Sequence, residues 1–228
     1  MLISSFPAGI WQTNCYVVST GRGNECVIID PGFESAEQIA EIVKRDKLKP
    51  IATMLTHGHI DHMWSVAPVA SGYGIPAVIH SSDRHLLSDP LSGVSRETQE
   101  MLMESLAINA EFVQPEELII FEGSTTLNLA GIEFQLTHAP GHTEGSTIFS
   151  TTGNELIVFT GDVLFAGAIG RTDLPGGSSE KMERTLAEVI LNLDDDYRIL
   201  PGHGPESVMA IERANNPFLL RVTQGLNR

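Results

Sequence analysis

Basic residues are scarce in this chain: 14 Lys and Arg stand against 29 Asp and Glu, for a formal charge of −15. Nucleic-acid binding rests on clustered Lys and Arg that displace counterions, and no Lys/Arg run occurs. Neither nucleic acid nor an anionic membrane is therefore an expected partner. Cysteine is as scarce: Cys15 and Cys26 are the only two, each inside an apolar strand-like run, and reduced buried thiols are expected rather than a disulfide framework or a thiolate metal site. No apolar run reaches the roughly 18 residues that a membrane span requires. The opening segment MLISSFPAGIWQTN also lacks a basic n-region, a long h-region and a small-residue cleavage site. A soluble cytoplasmic protein is the expectation, and nothing in the sequence sets its oligomeric state.

What is present suffices for a sizeable core. With 228 residues, 42% hydrophobic and 19% charged, the expectation is one domain spanning 1–228. LISSF at 2–6, CYVVS at 15–19 and CVIID at 26–30 read as an antiparallel meander, with Gly21, Gly23 and Asn24 turning between the second and third runs. A helix follows Pro31-Gly32, with Ser35 and Gln38 as a capping box and Ala36, Ile39, Ala40 and Val43 as its buried face. IATML at 51–55 and AVIH at 77–80 read as strands around a helix near 62–72, and 82–116 as mainly helical or irregular. Strand signals return at 118–121, 126–129, 132–138, 146–150, 155–160 and 198–200, with a helix over 179–193 presenting Met182, Leu186, Val189, Ile190 and Leu193 inward. Two successive blocks of strands and helices predict an α+β fold: two mixed β-sheets packed face to face with helices outside, an αββα four-layer sandwich. No internal repeat supports that symmetry in the sequence itself.

Chemistry concentrates where strands stop. His57-Gly58-His59-Ile60-Asp61-His62 places three of the eight histidines within six positions. Extended backbone puts alternate side chains on one side, so His57 and His59 converge on one ion while the following turn swings Asp61 and His62 toward another. His142 follows the Pro140-Gly141 turn, Asp162 ends the run FTGD, and His203 lies in PGHG after RIL. His138 reads as a strand-end or supporting group rather than a ligand. Asp30, in IIDPG, has two readings, a holder of a ligand histidine's second nitrogen or an Asp-Pro-Gly turn. Gathered at one sheet edge, five His and two Asp make two sites: His57, His59 and His142 for one ion, and Asp61, His62 and His203 for the other. Asp162, with two oxygens, is the natural bridge. Imidazole and carboxylate without thiolate suit two divalent cations, zinc first, with iron or manganese as alternatives. Asp61 could also carry a proton, but a metal-bound carboxylate is a poor base, so its ligand role ranks first.

HxHxDH at 57–62, His142 in PGHTEGS, TGD at 160–162 and PGHG at 201–204 resemble the ordered motifs of the metallo-β-lactamase superfamily across nearly the whole chain. GRTDLPGG at 170–177 and ERANNPFL at 212–219 resemble the small hydroxyacylglutathione hydrolase (glyoxalase II) group within it. This implies a hydrolase acting on a small-molecule acyl thioester through water activated at the metals. Where glyoxalase II enzymes carry Lys and Tyr, this chain has Arg171 and Leu174, so thioester hydrolysis is implied more than any particular thiol. Arg171 and Asp173 read equally as a pocket-shaping pair beside the metals or as an internal turn pair. Three rivals remain. Mononuclear iron persulfide dioxygenases of the same superfamily share a GRTD-like segment, but not PGHG with its His203. A binding protein with a dormant site would have lost some of the seven ligands. A true β-lactamase would be expected to carry an export signal.

Overall fold

The computed structural model describes residues 1–105, 112–153 and 155–226. The apolar meander predicted at the start forms as β1 (Leu2–Ala8), β2 (Thr13–Ser19) and β3 (Glu25–Ile29), antiparallel throughout. A parallel partner needs a crossover, which α1 (Ala36–Asp46) supplies between β3 and β4 (Lys49–Met54). Short α2 (Ile60–Met63) and α3 (Val66–Tyr73) lead to β5 (Ala77–His80), which pairs with β4. The stretch that reads as helical or irregular holds 3₁₀ turns at Ser81–Leu87 and Pro90–Gly93, and α4 (Arg96–Ser105); positions 106–111 of that stretch lie outside the described residues. β6 (Leu118–Phe121) completes a six-stranded mixed sheet in the order β1 to β6.

The second sheet is built from β7 (Thr125–Leu129), β8 (Ile132–His138), β9 (Thr147–Thr151), β10 (Ile157–Gly161), β11 (Arg198–Pro201) and β12 (Ser207–Val208), in the order β12 to β7. Here α5 (Ser179–Glu188) crosses between parallel β10 and β11, and α6 (Met209–Asn215) and α7 (Pro217–Leu226) close the described chain.

Period-two alternation accounts for four layers. Val27, Ile29, Phe159 and Leu200 join Phe134 and Phe149 in the core between the sheets. Their neighbours Cys26 and Ile28 face outward onto Ile39 and Ile42 of α1, and Val158 and Ile199 onto Met182, Leu186, Met209 and Leu219 of the helices on the other sheet. Each large apolar side chain so buried stabilises the fold by about 1.5–3 kcal/mol relative to exposure. Both cysteines are free and buried, and burial pushes the Cys26 thiol up to about 12 and Cys15 well above its ordinary value, so both stay protonated at neutral pH. No described helix is long and apolar enough to cross a membrane.

Three local expectations change. Ser35 sits at the helix start with helical backbone angles and makes no side-chain cap, because reaching the first-turn amides requires an extended N-cap. The inner face of α1 is Ile39, Ile42 and half-buried Val43, with Ala36 and Ala40 exposed, since the larger side chains gain more from burial. The helix predicted over 179–193 ends at Glu188 and passes into a 3₁₀ turn at Ile190–Asn192. There the Asn192 side chain donates to the Glu188 carbonyl at 2.7 Å, replacing a backbone donor.

Candidate metal centre

Five strands deliver their C-terminal ends to one rim. β3 leads into Asp30, β4 into Thr56-His57, β8 into the turn before His142, β10 into Asp162, and β11 into Gly202-His203. All seven residues singled out in the sequence meet there. His57, His59 and His142 form one triad, Asp61, His62 and His203 a second, and His57, His62 and Asp162 a third between them, with the donor atoms of each within 4.8 Å of one another. His59 is extended, and α2 begins directly after it, which brings His62 beside His57, with ring centroids 4.1 Å apart, and Asp61 into the second triad. His138 joins none of these groups; it stacks on His80 at 4.1 Å, and its Nε2 meets the Glu144 carbonyl at 2.7 Å.

The donors are aimed inward by what holds their other ends. His62 Nδ1 meets Asp30 Oδ2 at 2.9 Å, His142 Nδ1 meets the Arg171 carbonyl at 2.7 Å, and His57 Nδ1 meets Thr56 Oγ1 at 3.1 Å. An N–H committed outward leaves the inner nitrogen as a lone pair. Asp30 therefore resolves toward its supporting role: besides His62, it accepts from the Thr56 amide and hydroxyl at 2.8 and 2.7 Å, from a backbone with φ of 49°. His57 Nε2 is buried without a hydrogen-bond partner, and the buried His62 Nε2 and Asp162 Oδ1 face each other at 3.2 Å without an aligned hydrogen bond. His59 Nδ1 and His142 Nε2 point at each other across 2.8 Å. Buried polar atoms are normally satisfied, so orphaned lone pairs on imidazoles and a carboxylate fit divalent cations.

Asp61 Oδ2 lies 3.1 Å from His203 Nε2 and accepts from Thr13 Oγ1 at 3.1 Å. Asp162 reaches both triads, with Oδ1 3.2 Å from His62 Nε2 and Oδ2 3.5 Å from His142 Nε2 and 3.6 Å from His203 Nε2. Backbone crowding keeps it there: a Cβ on Gly202 would overlap Asp162 Oδ1 and His62, and one on Gly170 would overlap the Asp162 carbonyl.

Two contributors carry no sequence signal. Asn14 and Tyr16 on β2 donate to the Pro201 carbonyl at 3.0 and 2.7 Å, anchoring the His203 loop to the opposite sheet. Arg171 acts on His142 through its backbone carbonyl, which any residue possesses, while its side chain forms an exposed pair with Asp173 at 2.7 and 2.8 Å. Both readings of GRTD thus hold in part. ERANNPFL supplies a buried brace: Glu212 accepts from the Gly167 amide, Ser207 and Asn216, and Asn216 also donates to the Ala168 carbonyl. This fixes the turn that carries Phe165 into the cleft. The cleft is about 350 Å³, with Trp11, Ile60, Val94, Phe165 and Leu174 as apolar walls and Arg171 on its lining.

The two triads differ electrostatically. Burial, reinforced by neighbouring imidazoles, holds His57 well below its ordinary 6.5, and His59 down to about 3. Burial pushes His62 the same way, but Asp61, Asp162 and Asp30 outweigh it and raise it well above 6.5; His203 is raised, its bond to Asp61 overcoming burial. Asp61 and Asp162, although burial opposes it, are held below the carboxylate range by His62 and His203. Protons and cations compete for the same nitrogens, so bound metal should be lost as pH falls into acid. Metal content followed along a pH titration checks this; full retention at low pH would contradict it.

Residues 8–203 match the family model described as the metallo-beta-lactamase superfamily. An uncharacterized protein of Mycobacterium tuberculosis is 40% identical with both chains fully covered. The hydroxyacylglutathione hydrolase GloC of Haemophilus influenzae is 33% identical over 96% of this chain and 98% of its own. Among solved structures, the BLEG-1 B3 metallo-beta-lactamase superposes with a TM-score of 0.79 at 34% identity, covering 96% of this chain and 99% of that one. TTHA1623, solved in a di-iron-bound form, gives 0.74 at 32% identity over 96% and 100%. With strand-end histidines and aspartates gathered as this superfamily gathers its divalent-metal ligands, and a family match across most of its length, the chain belongs to the metallo-beta-lactamase superfamily.

Proposed function

We propose that this chain is a binuclear metal-dependent hydrolase of small acyl thioesters. The observation that carries the reading is the placement of His203 beside Asp61 and Asp162, which adds a second triad to the all-histidine one. His57, His59 and His142 would hold one cation, Asp61, His62 and His203 the other, and Asp162 both. The donor set, free of sulfur, puts zinc first, with iron or manganese as alternatives. Cations bound there supply water of lowered pKa at neutral pH and polarise an acyl carbonyl. The chain's own residues do the rest. Asp30, Thr56 and the Arg171 carbonyl hold the imidazoles in register, and Trp11, Phe165 and Leu174 exclude solvent around the acyl group. Asp61, ionised and held by Thr13 and His203, serves as a ligand rather than a base.

The likeness to GloC supports thioesters, and that to BLEG-1 makes β-lactams the comparison substrate. Metal-loaded protein should turn over S-lactoylglutathione or another acyl thioester, with two metals per chain. Oxygen uptake on a persulfide with one iron per chain, or turnover of a chromogenic cephalosporin without thioester turnover, would overturn the proposal.

A further inference from the structure

Asp83, in the 3₁₀ turn after β5, is 1% exposed and lies outside every ligand group. Its carboxylate nevertheless joins the two loops that carry the all-histidine triad. Oδ2 accepts from the Gly58 amide at 2.9 Å and from Thr143 Oγ1 at 2.7 Å, and Oδ1 accepts from the Gly145 amide at 2.7 Å. Gly58 stands between His57 and His59, and Thr143 adjoins His142. The approach is close: a Cβ on Gly145 would lie 2.5 Å from Asp83 Cγ, and one on Gly58 would lie 3.0 Å from the Asp83 carbonyl. The other triad is held without Asp83, by Asp30 behind His62 and Thr13 behind Asp61, and Asp30 reaches the first triad only through Thr56 and His57.

From this division we infer that Asp83 is a positioning residue that sets the spacing of His57 and His59 against His142, and so tunes the first metal position without acting on the second. The inference rests on the two-site reading above. A carboxylate suits the task because it only accepts, and its contacts are all donors. Asparagine keeps the shape but turns one oxygen into a donor, so at least one backbone N–H loses its acceptor.

The test separates the two positions. First-position zinc affinity is measured in a His203→Ala background and second-position affinity in a His59→Ala background, each with and without Asp83→Asn, alongside hydrogen exchange of the Gly58 and Gly145 amides in metal-free protein. Asp83→Asn should weaken zinc about 10- to 100-fold in the first background, the range for groups that orient ligands. It should leave the second background unchanged and speed exchange at whichever glycine amide loses its acceptor oxygen. Equal weakening in both backgrounds would show only general loosening, and no weakening in the first would remove the role; either result overturns the inference. Background chains that bind no zinc at all would instead overturn the site reading, and this inference with it. If Asp83→Asn does not fold, Thr143→Val removes one of the bonds while keeping the shape. It should weaken the first position in the same direction, and no difference there would overturn the assignment.

Discussion

Replacing Asp162 by alanine should lower thioester turnover by roughly 10³-fold or more, as expected when metal-activated water is lost, and should bring bound metal below two per chain. Among the described residues Asp162 is the one carboxylate whose oxygens address both triads, so its loss removes a donor from each position at once. Asp61→Ala strips only the second triad and should cost less. Asp162→Asn tests charge separately from shape, since the amide retains one acceptor oxygen. Metal analysis and steady-state kinetics on the same preparations check the prediction. A variant retaining two metals and normal turnover would remove Asp162 from the centre.

Stripping the metals should lower the melting temperature markedly. The site concentrates Asp30, Asp61 and Asp162 with five imidazoles at one rim, and leaves inner lone pairs unsatisfied. A ligand present at 1,000 times its Kd stabilises the folded state by about 4 kcal/mol, and a chain of this size shifts by about 2–4 °C per kcal/mol, so loading should raise Tm by about 8–16 °C at pH 7. Scanning calorimetry of chelator-treated and reloaded protein measures the difference. Melting temperatures equal within experimental error would mean that the cluster binds no metal in the folded state.

Much of this was legible in the chain because two local signals coincide. Strand signal survives in isolated apolar runs such as CVIID and ELIVFT, and the ligand types cluster where those segments stop, so the layers and the rim could be placed without tertiary information. The reading failed where a residue's role depends on what arrives from elsewhere. Ser35 has the composition of a cap but lacks the extended backbone one needs, and Asn192 breaks a helix by taking a carbonyl that composition does not mark. Asp83, Asn14 and Tyr16 act on partners 25 to 187 positions away, and Arg171 acts through a backbone atom. Such contacts leave no pattern in a single sequence. Asp30 was legible only as a choice between two roles, which its contact with His62 decides.

Anomalous diffraction from a crystal grown with zinc bears most directly on the proposed binuclear centre. Two peaks are expected, one among His57, His59 and His142 and the other among Asp61, His62 and His203, with Asp162 between them. A single peak, or none within reach of His203, would contradict it.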